Sequence, residues 1–488
     1  MQRGAAITRL MQRWPATAAV AAAAVYAATM ATALPYRRVF EFDTDEGINA
    51  GKARLLDHGY ALYGQLWNDQ PPLFTHLLRR WFDVFGWEVA SGRLLVLLFA
   101  AGLVFAVYDL TRLESSHRAA LLATAALAAS AYLPRLSLSL MIGLPAVALA
   151  TLAVWALFRW RHDARDAWLV ASGVLFGASL ATKLFTAFLL PVLALWLIAL
   201  AHGSARWRPA ALWVAVALLA AAGLLLALGG LDALPQLLSP HAAGRVAPML
   251  QRFDAEGLLV TARAEWPLTL LAGPAFAWLI WQRRSALLLF PAWALTAFVA
   301  LLGHAPVWYH HQLLLTVPYC PAIGVCLAEL MWRPAPRAMR RAATALAGAV
   351  VALAALRLAL IPERPADDAR DAIVAALRAQ LGARRVALGA DPIYAFRAGA
   401  VAPPQLAVLS TKRAATDPDL PATIAAVFAA DAPVAVALGP APGGIDAALR
   451  RAMADRYTAV FTSAEGNGVT VFARRDRAAA SAPTPAAP

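Results

Sequence analysis

The chain has 488 residues, of which 61% are hydrophobic and 15% charged, against about 25% charged in an ordinary soluble domain. That composition excludes a soluble globular enzyme, and the continuous apolar runs of about 20 residues match membrane-crossing helices rather than the alternating strands of a barrel. The net charge of +14 collects in short loops between those runs, so the positive-inside rule accounts for it and no nucleic-acid partner is implied.

Arg3, Arg9 and Arg13 precede an apolar stretch ending in Ala31-Thr32-Ala33. The pattern is signal-like, but the stretch is longer than a signal core and reads as a retained first helix. About eleven spans are expected, at roughly 15–36, 89–109, 119–134, 136–158, 167–182, 184–201, 209–230, 264–281, 285–303, 312–331 and 342–361. One alternating set of loops is short and basic, holding Arg112 and Arg118, Arg159 to Arg165, Arg206 and Arg208, Arg283 and Arg284, and Arg333 to Arg341. These belong in the cytoplasm together with the N-terminus. The opposite, extracytoplasmic face receives the 42–80 loop, the Pro134-Arg135 link, the Lys183 turn, the 231–263 loop and the segment His304 to His311. The reading is a multi-pass protein of the inner membrane, with a membrane domain over 1–361 that includes a first outer loop, 37–88.

That first loop is long and polar. Asp43, Asp45 and Glu46 open it; Gly47 to Leu56 then has helical spacing, and Gly59-Tyr60, Tyr63 and Trp67 follow. Pro71-Pro72 fits a helix start, since proline's missing N–H is tolerated in the first turn. Leu73, Phe74, Leu77, Leu78, Trp81 and Phe82 continue it as an amphipathic helix at headgroup depth. Cys320 and Cys326 share one apolar run and read as buried packing residues.

After residue 362 the periodicity changes. Asp367-Asp368 opens an amphipathic helix that stops near Gly382, and strands are expected at Arg385–Gly389, Leu406–Ser410 and Val434–Leu438. Helices are expected at 421–430 and 444–456, before a hairpin whose turn is Glu465-Gly466-Asn467-Gly468. Residues 362–476 thus read as an extracytoplasmic α/β domain, and 477–488, rich in Ala, Pro and Ser, as a disordered tail.

Carboxylates just outside a membrane can take a proton from a hydroxyl, and neighbouring carboxylates with partial burial strengthen such a base. On its own, Asp45-Glu46 also fits a solvated acidic loop pairing with Arg37-Arg38. The rest of the loop resolves this. The run DEG, then LLDHGYALYGQLWNDQPPLFTHLLRRWFDVFG and Arg93-Leu94, resembles the GT-C superfamily of membrane glycosyltransferases. Its nearest branch is the protein O-mannosyltransferase and aminoarabinose transferase group. Gly177 to Pro191 and His304 to Pro318 add to the resemblance, as do ADPIYAFRAG and APPQLAVLSTKR in the C-terminal region.

The resemblance implies a polytopic α-helical GT-C-like fold and transfer of a sugar from a polyprenyl-phosphate donor to an acceptor hydroxyl on the extracytoplasmic side. It implies Asp45 as general base with Glu46 beside it, and Tyr63, Gln70, Pro71 and Pro72 along the donor site. Cations must meet the departing phosphate, and Lys183, Arg245, His241, His310 and His311 are the candidates. Lys183 also fits snorkelling toward headgroups. No ligand set for a metal is assigned, though the chemistry leaves a divalent metal open. Two departures stand out: Gln70 occupies the place of a lysine common ahead of Pro-Pro, and 132–144 has no carboxylate. Membrane lipid is a partner, while the acceptor and sugar stay open. The alternatives are a transporter or flippase of lipid-linked saccharide, against which the nearly uncharged spans argue, and a non-catalytic scaffold.

Overall fold

The computed structural model describes residues 15–201, 206–244, 255–304, 306–360, 368–382, 385–389, 391–430, 433–439, 444–463 and 468–478. Each expected span contains a helix, but the spans expected at 119–134 and 136–158 are shorter than read: their helices end at Ala128 and begin at Gly143, with a short helix, Leu133–Ser137, between them. The span helices are α1 (Pro15–Ala33), α4 (Val89–Glu114), α5 (His117–Ala128), α6 (Gly143–Asp163), α7 (Asp166–Thr182), α8 (Leu189–Leu200), α9 (Arg208–Gly229), α12 (Trp266–Trp281), α13 (Leu289–Leu302), α14 (Leu313–Trp332) and α15 (Arg337–Ala359). Among the described residues, seven helical segments are long and apolar enough, by length and composition, to cross a membrane. The protein is a multi-pass membrane protein. The first loop holds α2 (Asp45–Asp57) and α3 (Leu73–Phe85).

α14 is the buried centre: nearly all of it is inside the protein, packed on α5 and α12. Gly324 permits this, because a Cβ there would lie 2.4 Å from the Ala119 carbonyl oxygen on α5. α6 packs on α4 and α7, and α7 on α9, giving a layered bundle.

α3 starts after Pro72, and its apolar stripe of Phe74, Leu78 and Phe82 is buried. Spacing of four residues puts the three on one face, and that face meets α2, α4, α7 and α9. Burying a side chain such as Phe82 contributes roughly 1.5–3 kcal/mol. The helix expected at headgroup depth is thus seated on the bundle by its apolar face.

The C-terminal region forms a four-stranded mixed sheet in the order β1-β2-β4-β3. The strands are β1 (Ala387–Gly389), β2 (Ala435–Leu438), β3 (Tyr457–Thr462) and β4 (Thr470–Arg474). β1 and β2 pair in parallel, while β4 is antiparallel to both β2 and β3. The helices are α16 (Asp368–Ala379), α17 (Pro392–Ala398), α18 (Leu420–Ala430) and α19 (Ile445–Met453), with a turn at Thr411–Thr416.

Three expectations are corrected. Leu406–Ser410 is not a strand: Ala407, Val408 and Leu409 are buried, but Ser410 caps the Thr411–Thr416 turn by accepting from the Arg413 N–H. Burial without a ladder partner reads like a strand in sequence. The 231–263 loop contains two helices, α10 (Ala233–Gly244) and α11 (Ala255–Ala264). A helical turn, Arg475–Ala478, runs into the expected tail. The N-terminal arginines, residues 465–467 of the expected hairpin turn and 479–488 lie outside the described residues.

Both cysteines are buried thiols.

Candidate active site

The first loop is held by an ion pair that composition does not reveal. Arg93, one turn into α4, and Glu46, in the first turn of α2, are both 0% exposed. The guanidinium donates from Nε to Glu46 Oε1 at 2.9 Å and from Nη2 to Oε2 at 2.5 Å. It also donates to the carbonyl oxygens of Tyr36, Val39 and Phe40. Glu46 in turn accepts from the backbone N–H groups of Phe42 and Leu140, each at 2.8 Å. Every oxygen of this carboxylate is engaged, as a buried ion pair requires. The pairing with Arg37-Arg38 weighed above does not form at Glu46; Arg37 instead donates to the Tyr36 hydroxyl.

Asp45, one residue before, points elsewhere. It is half-buried, and its N–H donates to Asp43 Oδ1 at 3.0 Å. Burial pushes its carboxyl up to about 6, with Asp43 and Asp69 adding to the shift and Lys183 and Lys52 opposing it. Asp43 is itself tied by the Tyr309 hydroxyl, which donates to Oδ2 at 2.8 Å. Arg135 lies over the Tyr309 ring at 5.1 Å and donates to the Phe42 carbonyl oxygen.

Lys183 caps the end of α7 and lies between α7 and α8. Burial lowers its ammonium to about 8, against the pull of Asp45 and Asp69. It donates to His310 Nε2 at 3.0 Å and lies 4.9 Å over the Phe185 ring. Accepting at Nε2 puts the His310 ring proton on Nδ1, a buried atom with no hydrogen-bond partner. His311 accepts from the Trp308 N–H at Nδ1, and its ring packs on those of His304, His310 and Phe185.

The rest of the loop closes the other side. Lys52 is buried and donates to Asn68 Oδ1 at 3.1 Å, and burial lowers its ammonium. The Gln70 carbonyl oxygen accepts from both the Tyr63 hydroxyl and Asn68 Nδ2 at 2.7 Å. Pro71 and Pro72 are buried beside it. Tyr63 sits at φ +67°, held by its ring packing on Gly229, where a Cβ would come within 2.8 Å.

Asp45, Lys183, His310 and His311 are therefore brought into one cluster, with Tyr63, Gln70, Pro71 and Pro72 forming its wall. Arg245 lies outside the described residues, as does the side chain of His241. Three residues not among the expected site residues belong to the cluster, Lys52, Asp69 and Tyr309, and Arg93 holds Glu46 beside it. Arg93 had a signal, a charge just inside an apolar run. Among the described residues no three His, Cys, Asp or Glu side chains are placed to hold a metal ion.

A bundle of this topology, with a polar loop before its second span and a small mixed sheet beyond its last, is the fold of a GT-C membrane glycosyltransferase. Residues 69–227, about a third of the chain, match the family model described as dolichyl-phosphate-mannose-protein mannosyltransferase. No curated protein sequence matches it. ArnT from Cupriavidus metallidurans in the apo state has the same fold at a TM-score of 0.67 and 15% identity, over 93% of this chain and 97% of that one. The same protein bound to undecaprenyl phosphate gives 0.66 and 15% over the same shares. The archaeal oligosaccharyltransferase AglB from Archaeoglobus fulgidus, in complex with an inhibitory peptide and a dolichol-phosphate, gives 0.56 and 14% over 81% of this chain and 65% of that one.

Proposed function

We propose that the chain transfers a sugar from a polyprenyl-phosphate donor to an acceptor hydroxyl at the extracytoplasmic face of the inner membrane, with Asp45 as the general base. The carrying observation is Asp45 itself. It is a half-buried carboxylate pushed up to about 6, with the buried Lys52 and the half-buried Lys183 acting on it electrostatically.

The acceptor oxygen forms a bond to the anomeric carbon as the bond from that carbon to the phosphate oxygen breaks. The hydroxyl proton passes to Asp45, and the lipid phosphate leaves with the bond's electron pair. A base near 6 is ionised at neutral pH and strong enough to help, which is the condition for efficient proton transfer. Lys183 and Lys52 face the opposite charge change and stabilise the departing phosphate in a low-dielectric site. Glu46 takes no part in proton transfer, because its oxygens are committed to Arg93 and two N–H groups. It anchors the first turn of α2 and so aims Asp45. The bound polyprenyl phosphates in the ArnT and AglB structures support a lipid phosphate as the leaving group.

The test is Asp45→Asn in an in vitro assay with a polyprenyl-phosphate sugar. The variant should remain folded and lose about 10²-fold or more in transfer rate, while Asp43→Asn loses much less. A near wild-type rate for Asp45→Asn removes Asp45 as the base.

A further inference from the structure

Lys412 lies far along the chain, in the Thr411–Thr416 turn of the C-terminal region. Its ammonium meets Asp69 Oδ2 of the first loop at 2.8 Å, and the two side chains are 15% and 13% exposed. Asp69 directly precedes Gln70-Pro71-Pro72.

Two further contacts seat this turn on the loop. Arg413 stacks its guanidinium over the Trp67 ring at 5.2 Å, and it braces its own segment by donating to the carbonyl oxygens of Gln405 and Val408. Ala407 and Val408 share a buried apolar cluster with Leu62, Tyr63 and Leu66 of the loop and Leu237 of α10. Ser410 caps the turn, which fixes where Lys412 emerges. The contact is thus a dry patch with a charged pair at its edge, beside the candidate site.

We propose that Lys412 is a positioning residue of the first-loop site: docking of the C-terminal region pins Asp69 and balances its charge, so the site is complete only with that region seated. This rests on the function proposed above. The physical reason is range. Asp69 acts electrostatically on Asp45, Lys52 and Lys183, and Lys412 acts on Lys183 and His311. A lone carboxylate at 69 makes Asp45 harder to ionise. A lone ammonium at 412 opposes the cationic form of Lys183. Held together at 2.8 Å, the two charges oppose one another, and they act in opposite senses on Lys183. The other charges facing Asp45 are Asp43, Lys52 and Lys183, and none of them is removed in the test.

The pair makes opposite predictions for its two halves. Lys412→Met leaves Asp69 unbalanced, so the acid limb of the transfer pH profile should move up by about half a unit or more. Asp69→Asn leaves Lys412 unbalanced, so the limb should move down. The double variant Lys412→Met/Asp69→Asn should return toward wild type, and Lys412→Arg should remain close to it. A residue that only stabilised the fold would lower the rate without moving the limb, and the two single losses would not cancel.

A second readout needs no activity. Hydrogen–deuterium exchange of the full-length protein should rise across 61–72 and 405–413 in Lys412→Met and stay low in Lys412→Arg. If the limb does not move in either single variant, or both move it the same way, Lys412 has no role in balancing charge at the site. Exchange unchanged in Lys412→Met removes its role in docking. If wild-type protein transfers no sugar, the proposed function fails, while the exchange measurement still judges the docking role.

Discussion

Replacing Arg93 by Met is the sharpest test of how the first loop is built. The change keeps most of the side-chain length and removes the charge. It leaves Glu46 fully buried with no counter-ion, and breaking a buried pair in this way costs about 3–5 kcal/mol. It also removes the donor to the Tyr36 carbonyl oxygen, for roughly another 1–3 kcal/mol, whereas the Val39 and Phe40 carbonyl oxygens still accept from Arg397. The two N–H groups of Phe42 and Leu140 still hold Glu46, which keeps the total nearer the lower end of the sum, at about 4 kcal/mol. The assay is unfolding in mixed micelles with increasing SDS, followed by tryptophan fluorescence, with Glu46→Met and the double variant alongside. Because the residues form one network, the single losses should exceed the double loss by about 1–3 kcal/mol. An Arg93→Met loss below about 1 kcal/mol, or simple additivity, would refute the view that this pair holds the loop.

The pH profile of transfer should be bell-shaped. Asp45 works ionised, so the rate climbs as pH rises through about 6, and Lys183 works charged, so it declines as pH passes about 8. A flat profile from pH 5 to 7 would show that Asp45 does not control the rate. Lys183→Met should weaken donor use more than folding and should remove the alkaline limb; unchanged donor dependence would return Lys183 to a snorkelling role. An alkaline phosphatase reporter fused after Gly389 should be active, because the alternating basic loops put the C-terminal region outside; a reporter active only in the cytoplasm would break that loop assignment.

Composition and periodicity by themselves determined the membrane class, a helix within each of the eleven expected stretches and the start of α3 at Pro71-Pro72. These depend on local chemistry: apolar runs of bilayer length, proline's missing donor, and the position of arginines between runs. The strands at 387–389, 435–438 and 457–462 were legible for the same reason. The Asp-Glu pair could be found, but its division of labour could not. Asp45 and Glu46 are adjacent and chemically alike, and only the packing of α2 against α4 commits Glu46 to Arg93 while turning Asp45 toward Lys183. The expected strand at 406–410 failed because burial there comes from docking on Leu62 and Leu66 rather than from a sheet. The cluster itself joins residues 45, 52, 69, 183, 310 and 412 from separate helices, turns and loops. Which charges lie within hydrogen-bond reach of one another is decided by chain folding over hundreds of residues, and no periodicity in the sequence records it.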